Sequence, residues 1–246
     1  NKMPRNIKIA AITVSTLDGM LRENYARALR LGQIALSGKP DLILFPEAFA
    51  AGYCGVDLAP YAEELDGPWP RKFRTLSRRG RCLVLFGMLE RAPEGIRNVV
   101  VLFDRGELIG VHAKHSLWPD REMPYRDEPS LMVPGPGLDI FQTRFGRVAP
   151  LICYESVIEE NWHQVAERGA ELVLSPYNCT GDPAHNNLKY SPMFKLPSAW
   201  TDKTGTTYLG EKWIPNLGTA GAVDAQGKVL AKSAPGVEEI VHVELE

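Results

Sequence analysis

The chain has 246 residues, enough for one large α/β domain with a substantial core. Its 44% hydrophobic and 24% charged residues are the proportions of an ordinary soluble globular protein. A net charge of −2 gives no electrostatic footprint for nucleic acid, and no apolar run reaches the ~18 residues of a membrane span.

No Pro/Gly/Ser-rich linker or charge block divides the sequence, so residues 1–246 read as a single domain. The first unit is β-α-β. IKIAAITV is a buried strand, LRENYARALRLGQIAL has apolar residues at helical spacing and stops near Ser37-Gly38, and DLILF is a second buried strand ending at Pro46-Glu47. Near-continuous apolar strands joined through a helix imply a parallel sheet covered on both faces. A loop follows, then a short helix over about 70–79, whose end carries the basic run RRGR at 78–81. That run reads as a solvated helix end. NVVVLFD and ELIGVHAK flank a turn at 104–107, where Gly106 supplies a backbone conformation other residues resist.

The loop from 115 to 137 is longer than most connections. Its Trp118, Met123 and Tyr125 favour packing over a site. DIFQTRFGRVAPLIC holds two strands around Phe145-Gly146, a helix spans about 156–168, and ELVLSPYN is a further buried strand. Residues 183–213 carry no clear pattern. TAGAVDAQGKVLAKS is a second hairpin turning at 224–227, and its VDAQGKVL echoes the earlier FDRGELIG. The echo suggests two similar halves, with two sheets packed between layers of helices.

Three residues close apolar runs: Glu47 after DLILFP, Lys114 after ELIGVHA and Cys153 after GRVAPLI. In open α/β sheets, ligand sites form outside the carboxyl ends of the strands. A carboxylate, an ammonium and a thiol at such ends are the parts for thiol attack on a carbon–nitrogen bond. Cys153 precedes a predicted helix, whose positive end would favour thiolate. The backbone N–H of Tyr154 would face a developing oxyanion. Glu47 would be the base, with a pKa lifted by burial. Tyr53, Trp118, Tyr154, Tyr177 and Asn178 follow the same strand ends and are the candidate pocket residues. No Arg occupies a position in these runs from which it would grip a substrate carboxylate. The five histidines are dispersed, which speaks against a zinc site.

These stretches resemble the nitrilase or carbon–nitrogen hydrolase superfamily. The likeness runs from about residue 7 to the C-terminus. It is carried by LILFPEAFAAGY with AEELDGP, by NVVVLFDRGELIGVHAKHSLWPDRE, by FGRVAPLICYES with RGAELVLSP, and by AVDAQGKVLAK. The resemblance implies an α-β-β-α sandwich, a Glu-Lys-Cys triad on Glu47, Lys114 and Cys153, and an additional glutamate, eight residues past the lysine, on Glu122. It implies no metal, no organic cofactor, and assembly as a dimer or larger through the outer helices. The expected activity is hydrolysis of a small linear amide through a cysteine thioester. N-carbamoyl amino acid hydrolase, nitrilase, N-acyltransferase and an inactive binding or scaffold member remain alternatives. The cysteine motif reads CYES, where many amidases have Cys-Tyr-Asp; Cys-Tyr-Glu also occurs in the apolipoprotein N-acyltransferase branch. The four cysteines are widely spaced and fit reduced thiols in a cytoplasmic protein. The N-terminal stretch has no pattern of a secretory signal.

Overall fold

The computed structural model describes residues 6–53, 57–122, 126–208 and 212–245. Met123, Tyr125 and Cys54 lie outside them. In chain order, β1 (Ile7–Ile12) and β2 (Val14–Leu17) lead to α1 (Leu21–Ala35) and β3 (Leu42–Leu44). Next come α2 (Pro68–Gly80), β4 (Leu83–Ala92), β5 (Gly95–Asp104) and β6 (Glu107–Ala113). The long loop carries one helical turn, α3 (Glu128–Leu131), before β7 (Phe141–Thr143) and β8 (Gly146–Pro150). Then follow α4 (Glu159–Glu167), β9 (Leu172–Pro176), α5 (Ala184–Phe194) and β10 (Ser198–Thr201). The chain ends with β11 (Lys203–Tyr208), β12 (Trp213–Leu217), β13 (Gly221–Val223), β14 (Val229–Lys232) and β15 (Ile240–Leu245).

Two six-stranded sheets result, in the orders β15-β1-β3-β4-β5-β6 and β14-β13-β10-β9-β8-β7. Each has three parallel strands at its centre, β1-β3-β4 and β8-β9-β10, with antiparallel partners outside. The two echoing hairpins, β5-β6 and β13-β14, each bring a strand to an edge of one sheet.

Side-chain alternation explains the layering. In β1, Ile7, Ile9 and Ala11 face the second sheet, where they meet Leu172, Leu174 and Ala222, while Ala10 and Ile12 face α1. α1 buries Tyr25, Ala28, Leu31 and Ala35, the helical spacing read from its sequence. α2 adds Phe73 and Leu76, and Phe73 stacks on Phe86 at 4.2 Å. On the far side, Trp162 and Val165 of α4 and Tyr190 of α5 cover Ala149 and Val173. The order is helix, sheet, sheet, helix. Each fully buried Leu or Ile in these layers is worth about 1.5–3 kcal/mol against exposure.

The turn after β5 is a two-residue hairpin in which Asp104 pairs with Glu107. Arg105 and Gly106 both have positive φ, 53° and 86°, as this mirror-image turn requires. Arg78, Arg79 and Arg81 are exposed at the end of α2. The patternless 183–213 holds α5, β10 and β11, with β12 starting at its last residue. β11 pairs with β12 on one side and β2 on the other in a small third sheet of three strands. Among the described residues no helix is long and apolar enough to cross a membrane.

Candidate active site

The central parallel strands of both sheets release their chains on the same side of the sandwich. After β3, Phe45-Pro46 turns the chain and Glu47 enters the interior with no exposed surface. Gly87 of β4 makes room for that turn. A Cβ there would sit 2.5 Å from the Pro46 carbonyl oxygen and 2.6 Å from the Glu47 Cα. Lys114 follows β6 directly and is 1% exposed. Its Nζ donates to Glu47 Oε1 at 2.7 Å and to Glu128 Oε1 at 2.8 Å.

Glu128 opens α3 and is itself 1% exposed. Its Oε2 accepts the Trp118 N–H at 2.6 Å, so the carboxylate also pins the loop that follows Lys114. Tyr53 Oη lies against Glu128 Oε1 in a short hydrogen bond and 3.4 Å from Glu47 Oε1. Asn98, on β5, donates to Glu47 Oε1 at 2.7 Å. One oxygen of Glu47 is thus held by Lys114 and Asn98. The other, Oε2, is buried and has no hydrogen-bond partner among the described residues.

Cys153 begins a five-residue 3-10 turn, Cys153–Val157, at φ 47°. That left-handed value is uncommon for a residue with a Cβ, and such strain marks places where a side chain is aimed rather than merely packed. The thiol lines a cavity of about 260 Å³ together with Lys114, Glu128, Tyr53, Trp118 and Arg126. Tyr154, Tyr177 and Asn178 complete the near wall. Trp118 meets Tyr154 edge to face at 5.0 Å. Tyr177 Oη is tied to Ser156 Oγ at 2.6 Å and to Asn187 Nδ2 at 3.0 Å.

Burial and the neighbouring Glu128 charge push the Glu47 carboxyl up, against the pull of Lys114. Burial works against the Lys114 ammonium, but Glu128 and Glu47 outweigh it and hold it charged. The Cys153 thiol is raised well above its ordinary value by burial first and by Glu47 next; Lys114 and the Asn178 N–H oppose this. These surroundings favour the thiol over the thiolate. This differs from the thiolate expected at a helix N-terminus. Here α4 starts only at Glu159, and a 3-10 turn too short to build a dipole intervenes.

The carbon–nitrogen hydrolase family profile matches residues 8–246. The chain belongs to the carbon–nitrogen hydrolase family. It is 27% identical to an (R)-stereoselective amidase of Pseudomonas sp, over 96% of this chain and 84% of that protein. It is 26% identical to the omega-amidase NIT2 of Bos taurus, over 91% of this chain and 83% of that protein. Its fold superposes on a carbon–nitrogen hydrolase from Helicobacter pylori G27 with a TM-score of 0.87, at 20% identity, over 98% of this chain and 90% of that one. It also superposes on Saccharomyces cerevisiae Nit3, of the nitrilase superfamily, with a TM-score of 0.83, at 21% identity, over 99% and 91% of the two chains. This is a carbon–nitrogen hydrolase, an enzyme acting on non-peptide C–N bonds.

The carbon–nitrogen hydrolase brings Lys114 and Cys153 to one cavity, with Tyr53, Trp118, Tyr154, Tyr177 and Asn178 around it, and Glu47 lies buried behind the wall on the Lys114 ammonium. Glu122 is not among them. It is exposed, and its backbone N–H bonds to Asp120 Oδ1 at 3.3 Å. The glutamate beside the Lys114 ammonium is Glu128, fourteen residues past the lysine instead of eight. The physical reason is that the loop first runs outward over the surface and returns only at α3. The signal was a helix start inside the loop, Asp127-Glu128-Pro129, with Pro in the first turn. Asn98 also went unread, although it is a lone amide opening the apolar run VVVLF. Arg126, in the long loop and outside those strand-end runs, stands on the cavity wall, a position the runs gave no sign of.

Proposed function

We propose that this hydrolase cleaves a small linear amide through a cysteine thioester, with Glu47, Lys114 and Cys153 as the triad. The observation that carries the reading is the Oε2 of buried Glu47, unpartnered among the described residues, together with a Cys153 thiol whose pKa is pushed up by burial and by the Glu47 charge. A base with a raised pKa and a free lone pair is suited to take a thiol proton at the moment of attack. Sulfur bonds to the amide carbon as its proton passes to Glu47. The Lys114 ammonium and the Tyr154 N–H would hold the oxyanion. Collapse breaks the C–N bond, and Glu47 returns the proton to the departing amine. Water then adds to the thioester, gives a proton to Glu47, and expels the Cys153 sulfur, which recovers that proton. Two moderate barriers replace one high one. Glu128 takes no proton in this scheme; it fixes Lys114.

The test is a panel of short amides, N-carbamoyl amino acids and nitriles assayed for released ammonia. Wild type should release ammonia from amides, and Cys153→Ala should not. Ammonia release that survives Cys153→Ala, or full activity in Cys153→Ser, would refute the thioester route. Because Glu47 must be ionised to act and its pKa is raised, kcat/KM should climb with pH through a range above that of an ordinary glutamate.

A second, narrower reading concerns the acyl group. Arg126 is half-buried on the cavity wall and forms no ion pair among the described residues. Asn178 Nδ2 is buried on the same wall with no hydrogen-bond partner. A guanidinium and an amide N–H that both lack acceptors suit a substrate ending in a carboxylate. The omega-amidase names of several relatives agree with this. Arg126→Ala should then raise KM about tenfold or more for a carboxylate-ended amide, the loss of roughly 1.4 kcal/mol or more of binding, and leave an uncharged amide of equal length unaffected. Equal effects on both substrates would remove the carboxylate reading and leave the amidase one standing. On the same family reading, residues 1–246 form one hydrolase domain that assembles as a dimer or larger, which sedimentation tests.

A further inference from the structure

A buried ionic cluster that takes no proton in this mechanism lies between the two sheets. Glu155, two residues past Cys153, has no exposed surface. Its Oε2 accepts the Ile152 N–H at 2.8 Å, immediately before the nucleophile. Its Oε1 accepts the His115 N–H at 2.6 Å and the Ser116 N–H at 3.4 Å, immediately after Lys114. A single carboxylate therefore ties the cysteine turn of one sheet to the lysine turn of the other. Its remaining partner is His112, fully buried, with Nε2 at 2.9 Å from Glu155 Oε2. The other ring nitrogen, Nδ1, lies 2.9 Å from Asp139 Oδ2.

Both ring nitrogens face carboxylate oxygens, and carboxylates only accept. A neutral imidazole has one N–H and would leave one of these contacts as lone pair against lone pair. An imidazolium satisfies both. We propose that His112, charged between Asp139 and Glu155, is a positioning residue for hydrolysis: it holds Glu155 across the two sheets and so sets the spacing of the Cys153 sulfur and the Lys114 ammonium. This rests on the amidase reading for its kinetic consequence.

The titratable groups facing His112 are Asp139, ahead of β7, and Glu155, in the turn after β8. Burial disfavours the His112 charge, but the two carboxylates outweigh it and lift the pKa to about 9. A folded-state pKa above the unfolded one means the stabilisation is complete below the ordinary histidine range. It is lost as pH rises through about 9. Above that point Glu155 loses a donor and the tie between the turns loosens.

The experiment uses Asp139→Asn, whose side chain is 41% exposed and so places little demand on folding. Removing that charge should lower the His112 pKa by about one unit. The alkaline limb of kcat for an amide substrate should move down by the same amount, with KM and the neutral-pH kcat kept. NMR titration of the His112 ring reports the proton directly. A second variant, His112→Gln, should lower kcat about 10–100-fold at neutral pH through misplaced groups and lose the limb near 9 altogether. The rate of Cys153 alkylation by iodoacetamide, followed by peptide mass, gives a readout that needs no substrate. Its ratio between Asp139→Asn and wild type should depart from unity only between the two ring pKa values. An alkaline limb and an alkylation ratio that ignore Asp139→Asn would overturn the proposal while leaving the amidase reading intact. No amide turnover in wild type, with the alkylation ratio shifting as described, would sink the amidase reading and keep the brace.

Discussion

Lys114→Met should unfold in less urea than wild type, with about 3–5 kcal/mol of stability lost, and should hydrolyse no amide. The size follows from what surrounds the ammonium. Lys114 is 1% exposed, and its partners Glu47 and Glu128 are 0% and 1% exposed. Without the cation, two carboxylates face one another out of water, and one must take a proton or the region must open. The penalty lies mainly in the abandoned charges, not in a lost attraction. The double variant Lys114→Met with Glu128→Gln should therefore recover a good part of the stability and none of the activity. A Lys114→Met protein with the wild-type urea midpoint would mean that the carboxylates are solvated, contrary to their burial. Lys114→Arg is no remedy. The planar fork is larger than the ammonium and cannot sit between two oxygens placed 2.7 and 2.8 Å from one nitrogen.

The sequence was most readable where backbone geometry and apolar alternation agree. The 104–107 hairpin and the strand ends carrying Glu47, Lys114 and Cys153 followed from patterns of two to eight residues. The echo between FDRGELIG and VDAQGKVL marked two edge hairpins of two sheets. Other features depend on contacts far apart in the chain. The state of the Cys153 thiol is decided by burial and by Glu47, more than a hundred residues earlier. α5 was unreadable because it buries Asn186, Asn187 and Ser191 rather than an apolar stripe. Those amides hold the cavity wall, as Asn187 does through Tyr177. The long loop shows the limit of spacing arguments. A fixed offset from Lys114 selects Glu122, yet burial selects the residue at which the loop returns to the core.

That difference gives a direct comparison of two glutamates. Glu122→Ala should leave kcat and KM within about twofold of wild type, since an exposed side chain away from the cavity changes stability by under about 0.5 kcal/mol. Glu128→Ala should lower kcat about 10²–10³-fold, the scale seen when one fixed charge-stabilising group is displaced. Four hydrogen-bonding partners of the site go with it: the Lys114 Nζ, the Tyr53 hydroxyl, the Asn98 amide at 3.3 Å and the Trp118 N–H that fixes the loop. Glu128→Gln separates charge from shape. It can keep the acceptor for Trp118 while removing the negative charge that helps raise Glu47. The acid limb of kcat/KM should then move to lower pH, because Glu47 ionises more readily beside a neutral amide. Steady-state rates for the three variants between pH 4 and about 8 decide between the two positions. A large loss in Glu122→Ala with near-normal rates in Glu128→Ala would mean that the chain closes over the lysine differently. A limb that stays in place in Glu128→Gln would mean that the two carboxylates do not share the Lys114 charge.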